Sequence, residues 1–64
     1  MGQINLENLL GFSESSAKKM VESYGLKYRV TKVDLTQVPV TRDVKADRVN
    51  VELENGKVSR AYVG

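Results

Sequence analysis

Apolar and polar residues along this chain change period from stretch to stretch, and each change marks an element. Residues 1–5 carry no pattern and are expected to dock loosely or move. Leu6, Leu9, Leu10 and Phe12 then crowd large apolar side chains together, enough to cover one end of a small core. Ser13 suits a helix N-cap, and Glu14 places an anion in the first turn, where the helix dipole favours it. Phe12 and Ala17 occupy the staple positions on either side of that cap. Ala17, Met20, Val21 and Tyr24 recur with helical spacing as one apolar stripe, while Lys18, Lys19, Glu22 and Ser23 take the other face. Gly25 fits a left-handed C′ cap. The spacing predicts a helix over 14–24.

Beyond it the period shortens. Leu26 to Leu35 reads as a strand, with Tyr28, Val30, Val33 and Leu35 apolar and the alternation broken near Lys32 by a bulge or an irregular strand end. Arg48 to Glu54 alternates without a fault: Val49, Val51 and Leu53 inward, Arg48, Asn50, Glu52 and Glu54 outward. Asn55-Gly56 is a strong hairpin signal for a type I′ turn. Lys57 to Val63 then returns as the last strand. A two-residue turn pairs Glu54 with Lys57 and Leu53 with Val58, but it also sets Arg60 opposite Val51 on the apolar side. A bulge or a snorkelling Arg60 is expected there.

Between the first two strands runs Thr36 to Asp47, a glycine-free connection of about a dozen residues, long for so short a chain. It lacks the dipeptide of a tight hairpin, and a connection of this length lets the flanking strands run parallel. Pro39 pushes Val38 into an extended conformation, and Val38, Val40, Thr41 and Val44 are all stiff at χ1. The segment is expected to lie open, extended and exposed, presenting Arg42 at its centre with Asp43 beside it. The fold class is α+β: one helix packed on a small mixed sheet, a long exposed loop between two parallel strands, and a C-terminal hairpin.

Composition narrows what such a chain can do. Its 64 residues, read as a single domain over 1–64, sit near the lower limit for independent folding. They include no histidine and no cysteine, which excludes zinc sites of the usual ligand types, Ser-His and Cys-His nucleophile pairs, and disulfides. No cofactor or metal is expected, and with little room for a substrate pocket the chain does not read as an enzyme. Ten basic and eight acidic residues leave a net charge of +2 spread along the chain, unlike the clustered cations of a nucleic-acid footprint. No apolar run approaches the ~18 residues of a membrane span, and no secretory h-region occurs. Met1-Gly2 opens like a myristoylation signal, but Leu6 stands where that motif needs Ser or Thr. The sequence does not give the compartment: a chain without a targeting segment fits the cytoplasm or a mature secreted form equally.

Several of these stretches, in this order, resemble the potato inhibitor I family (eglin c type) of serine protease inhibitors. Leu9-Leu10-Gly11-x-Ser13-x-x-x-Ala17-Lys18-Lys19 is similar to the family's opening, and Pro39-Val40-Thr41-Arg42-Asp43 to its binding loop. Asp47-Arg48-Val49 resembles the arginine-led strand after that loop, and Val63-Gly64 the family's ending. Some features depart from the pattern. Leu6 replaces a tryptophan, the last hairpin is shorter, and the segment before the loop is one residue longer. Asn50 stands where the family commonly has a second supporting arginine.

The resemblance implies a protease-binding loop of Val38, Pro39, Val40, Thr41, Arg42, Asp43 and Val44, with Arg42–Asp43 as the reactive bond. It implies that Arg48 lies beneath the loop and holds Thr41 and Asp43, with Asn50 and the carboxylate of Gly64 in the same support. A guanidinium suits that task, having five donors in a planar fork. With Asn50 in place of an arginine half the brace is missing, which leaves open a softer loop cleaved as a substrate, although related inhibitors of similar architecture carry Arg-x-Asn here. The implied partner is a trypsin-like or subtilisin-like serine protease, met by a monomer that acts as an overly rigid substrate. Two other readings stand beside it. One is a non-inhibitory interaction module of the same fold. The other is a small basic domain contacting acidic partners or nucleic acid through Lys27, Arg42, Lys45 and Arg48.

Overall fold

The structure, a computed structural model, describes residues 4–64. What the sequence suggests for residues 1–3, including the Met1-Gly2 signal, lies outside the described residues. Ile4 packs half-buried against the core. Asn5 caps a 3₁₀ turn, Leu6–Leu9, which the apolar pattern alone does not predict. Of the apolar residues there, Leu9 is fully buried, Leu6 and Phe12 are half-buried, and Leu10 faces solvent.

Helix α1 spans Glu14–Ser23, with the Ser13 hydroxyl accepting from Ser16 N at 3.4 Å. Ala17 and Val21 bury completely. Tyr24, expected on the same stripe, is instead the C-cap and half exposed. Gly25 at φ +75° lets its own N–H reach Glu22 O at 2.9 Å and Leu26 N–H reach Val21 O at 3.3 Å. This paired closure turns the chain sharply into the sheet.

Four strands follow: β1 (Lys27–Val33), β2 (Thr36–Gln37), β3 (Arg48–Glu54) and β4 (Lys57–Val63), in spatial order β2-β1-β3-β4. β1 and β3 run parallel, and the other neighbours antiparallel. The protein is therefore a small α+β domain with one helix on a mixed sheet. Both irregularities legible in the alternation occur. β1 slips register against β3 between Val30 and Lys32. The β3–β4 pair slips next to Ser59, so Ala61 rather than Arg60 stands opposite Val51. Arg60 pairs with Glu52 and lies 4.9 Å from the centre of the Tyr62 ring.

The first strand is shorter than the apolar pattern implies, and the chain does make a tight hairpin after it. Asp34, at φ +54°, and Leu35 form a two-residue turn into β2. Leu35 is consequently 93% exposed rather than a strand position. Asp34 N–H donates to Leu53 O at 2.7 Å, and its carboxylate accepts from Asn55 N–H at 2.8 Å. Those tertiary bonds offset the cost of a left-handed aspartate, and a local pattern does not contain them. The open connection thus begins at Val38 rather than Thr36.

Leu9, Ala17, Val21, Val49, Val51, Leu53 and Val58 form the core between helix and sheet. Each large apolar member contributes about 1.5–3 kcal/mol by leaving water. Residues 11–14 lie along the start of β4, with Gly11 N–H to Val58 O and Val58 N–H to Phe12 O both 2.8 Å, which covers part of that edge.

Candidate functional site

Strand alternation sends Arg48 and Asn50 to the face opposite the core valines. A solvated face is the ordinary outcome, but here the loop closes over it. Arg48 is 8% exposed and Asn50 1%, so the first two outward positions of this strand are buried. A buried guanidinium is tolerated only when its donors are satisfied, and these are. Arg48 Nη2 donates to Asp43 O at 2.6 Å, Nη1 meets Asp43 Oδ2 at 3.4 Å, and Nε donates to Gly64 O at 2.9 Å. Gly64 N–H returns a bond to Arg48 O at 3.1 Å.

Asn50 joins the same oxygen from the other side, Nδ2 to Gly64 O at 3.1 Å. Its Oδ1 accepts from Arg29 Nε at 2.6 Å. Gly64 sits so close that a Cβ there would lie 3.2 Å from Asn50 Nδ2. Arg29, directly across from Asn50 on β1, then reaches the loop: its Nη1 lies 3.3 Å from both Thr41 O and Thr41 Oγ1. Arg48 makes no bond to Thr41. The sequence-based expectation that Arg48 holds both residues is corrected: Arg48 holds Asp43, and Arg29 holds Thr41. Arg29 escaped sequence reading because a cation in a half-buried strand looks like an ordinary solvated charge. The one available signal was its register opposite Asn50.

Within the loop the Thr41 hydroxyl donates to Asp43 Oδ1. That bond holds the Asp43 carboxyl below the usual carboxylate range; the Arg48 and Lys45 cations add to the effect, and partial desolvation opposes it. Lys45 Nζ lies 3.9 Å from Asp43 Oδ2. The loop is pinned at both ends by backbone bonds, Val38 N–H to Thr31 O at 3.1 Å and Lys27 N–H to Asp47 O at 2.8 Å. Val38 is half-buried, whereas Pro39, Val40, Thr41, Arg42, Asp43 and Val44 are exposed. None of residues 38–47 has a positive φ. Arg42 joins none of these bonds: its side chain stands in solvent between two residues that are both held from below.

A concave region lies elsewhere. A cavity of about 400 Å³ opens at the other end of the sheet, between the two hairpin turns, lined by Lys32, Asp34, Leu35, Glu52 and Glu54 among others. Among the described residues no cluster of histidine, cysteine or carboxylate side chains has the geometry of a metal site. Among the same residues no helix is long and apolar enough to cross a membrane. No known family profile matches the chain, and no curated protein matches it.

Proposed function

We propose that this protein inhibits serine proteases, offering Arg42–Asp43 as a reactive bond that is presented like substrate but held too firmly to be lost. The observation that carries this reading is the contrast at that bond. Arg42 is free, while Thr41 on one side and Asp43 on the other are tied to the sheet through Arg29 and Arg48. The likeness of Pro39–Asp43 and of the Asp47-Arg48 segment to potato inhibitor I sequences supports the same reading.

A protease cleft takes an extended segment as an added strand, and Arg42 enters the primary pocket. A trypsin-like enzyme carries an aspartate there and binds arginine well. Subtilisin-like enzymes remain a second target class. Ordering a flexible peptide costs roughly 0.5–1.5 kcal/mol per immobilised side chain, and a loop already ordered avoids much of that cost. A basic nucleic-acid module fits less well. Of its four cations, Arg48 is consumed inside the molecule and Lys45 faces Asp43.

The test is residual activity of trypsin-like, chymotrypsin-like and subtilisin-like proteases incubated with the protein, with any cleavage position read by mass spectrometry. Arg42→Ala is expected to weaken inhibition of the trypsin-like enzyme about a thousandfold, a hot-spot loss of about 4 kcal/mol, with the fold unchanged. Equal inhibition by the two proteins removes Arg42 from this role.

A further inference from the structure

We infer that Arg29, acting through Asn50, is the positioning residue for the acyl side of the Arg42–Asp43 bond, while Arg48 serves the amine side. The cleavage part of this inference rests on the inhibitory reading above; the positioning part does not.

The two flanks of the bond are held by different strands. Thr41 is reached from β1 by Arg29, and Asp43 from β3 by Arg48. Both routes converge on one atom, Gly64 O, which accepts from Asn50 Nδ2 and from Arg48 Nε. Asn50 is the joint of the first route. Its carbonyl faces the Arg29 donor and its amide faces the Gly64 acceptor, and the reverse orientation sets donor against donor. A neutral amide also suits this position. Arg29 and residue 50 are a directly opposed cross-strand pair, where a second cation would face like charge. The support has a positive charge on β1 and a neutral relay on β3. The brace that Asn50 makes incomplete along β3 is completed from the neighbouring strand.

The chemistry gives the two sides unequal tasks. When the protease nucleophile attacks the Arg42 carbonyl carbon, the C–N bond to Asp43 breaks, and the new Asp43 amine leaves with the proton of the nucleophile. Reversal needs that amine to attack the acyl carbon, re-form the peptide and release the nucleophile. The Arg42 side stays attached to the protease throughout as the acyl group, whereas only the protein's own scaffold holds the amine. Loss of Arg48 therefore frees the group that must return. Loss of Arg29 lets the acyl segment pivot on the scaffold, a smaller fault.

The experiment compares wild type, Arg29→Ala, Arg29→Lys, Asn50→Ala and the Arg29→Ala/Asn50→Ala pair, each first shown to unfold cooperatively. Backbone NMR order parameters for residues 40–44 need no protease. They should fall in Arg29→Ala, and Lys should not restore them, because one ammonium cannot hold Asn50 and Thr41 together. Inhibition of a trypsin-like enzyme should weaken roughly 10–100-fold in Arg29→Ala, as expected for lost bonds from a charged donor. The fraction of cut protein at equilibrium should rise. The double variant should be no worse than Arg29→Ala alone, the non-additivity expected of residues acting in series. Wild-type order in Arg29→Ala, full rescue by Lys, or additive losses would overturn the inference. A wild-type loop that is ordered through Arg29 yet inhibits no protease overturns the inhibitory reading and leaves the positioning role standing.

Discussion

The two connections that end at β3 and leave it are built on opposite principles. The β3–β4 turn is Asn55-Gly56, with φ of +54° and +77° that suit those two residues; bonds from Asn55 N–H to the Asp34 carboxylate and from Glu14 N–H to Gly56 O add to it. The 38–47 loop has no positive φ, and its interior is shaped by the side chains of Arg29, Arg48 and Asn50 and by Gly64 O. One connection is defined by local torsions and the other by distant partners. A turn set by its own torsions changes chiefly when its own residues change, whereas a propped loop changes when residues far along the chain do.

The largest expected effect comes from Arg48→Ala. It removes three donors from a buried position and leaves Asp43 O and one side of Gly64 O without their partner. A loss of about 2–4 kcal/mol is expected, large for a domain of this size. A trypsin-like protease should then cut after Arg42 and release the product. Denaturant unfolding measures the first effect and mass spectrometry the second. Arg48→Lys, which keeps the charge but not the fork, guards against outright unfolding and should show faster cutting than wild type. If both variants stay as intact as wild type in the presence of protease, the loop does not depend on this prop.

Gly56→Ala tests the other half of the contrast. No atom crowds a Cβ at this position, so the cost is that of holding alanine at φ +77°, about 1 kcal/mol. The urea midpoint should fall while inhibition stays within a few-fold of wild type. A large loss of inhibition would mean that the hairpin and the loop are mechanically coupled after all.

The same contrast explains what could be read from the sequence. The Asn55-Gly56 turn, the α1 caps, the parallel β1–β3 pair and the slip that moves Arg60 off the core face all follow from neighbouring residues or from simple counting. Leu35 misled because its apolarity fits a strand, while the bonds that turn the chain at Asp34 come from Leu53 and Asn55. Arg29 was opaque for a related reason, and Asn50 entered the support only through the family resemblance. Alternation assigns a side chain to a face, but it does not say what lies over that face. A strand position under a folded-back loop carries the same polar signature as one in water. Only the cross-strand register, Arg29 against Asn50, shows that the two act as one unit.

The smallest effect expected is also the most selective. Asp43 carries charge in the propped loop, and its pKa is lowered first by the Thr41 hydroxyl and further by Arg48 and Lys45. A carboxylate depressed in the folded state contributes stability above its unfolded pKa, about 3.9, and loses it as pH falls through the lower folded value. The loop support is therefore complete at neutral pH and persists somewhat below the ordinary aspartate range before it loosens. The cross-strand contacts of Leu53 with Val58 rest on apolar burial, which does not titrate, so they should outlast the order of residues 40–44. An NMR titration reads both in one sample. The Asp43 carboxyl midpoint should lie below that of a model aspartate, and Thr41→Val should move it upward by removing the leading cause. A wild-type midpoint at the ordinary value, or one indifferent to Thr41, would separate Asp43 from the brace and leave the loop resting on the two arginines and the Asp43 backbone carbonyl.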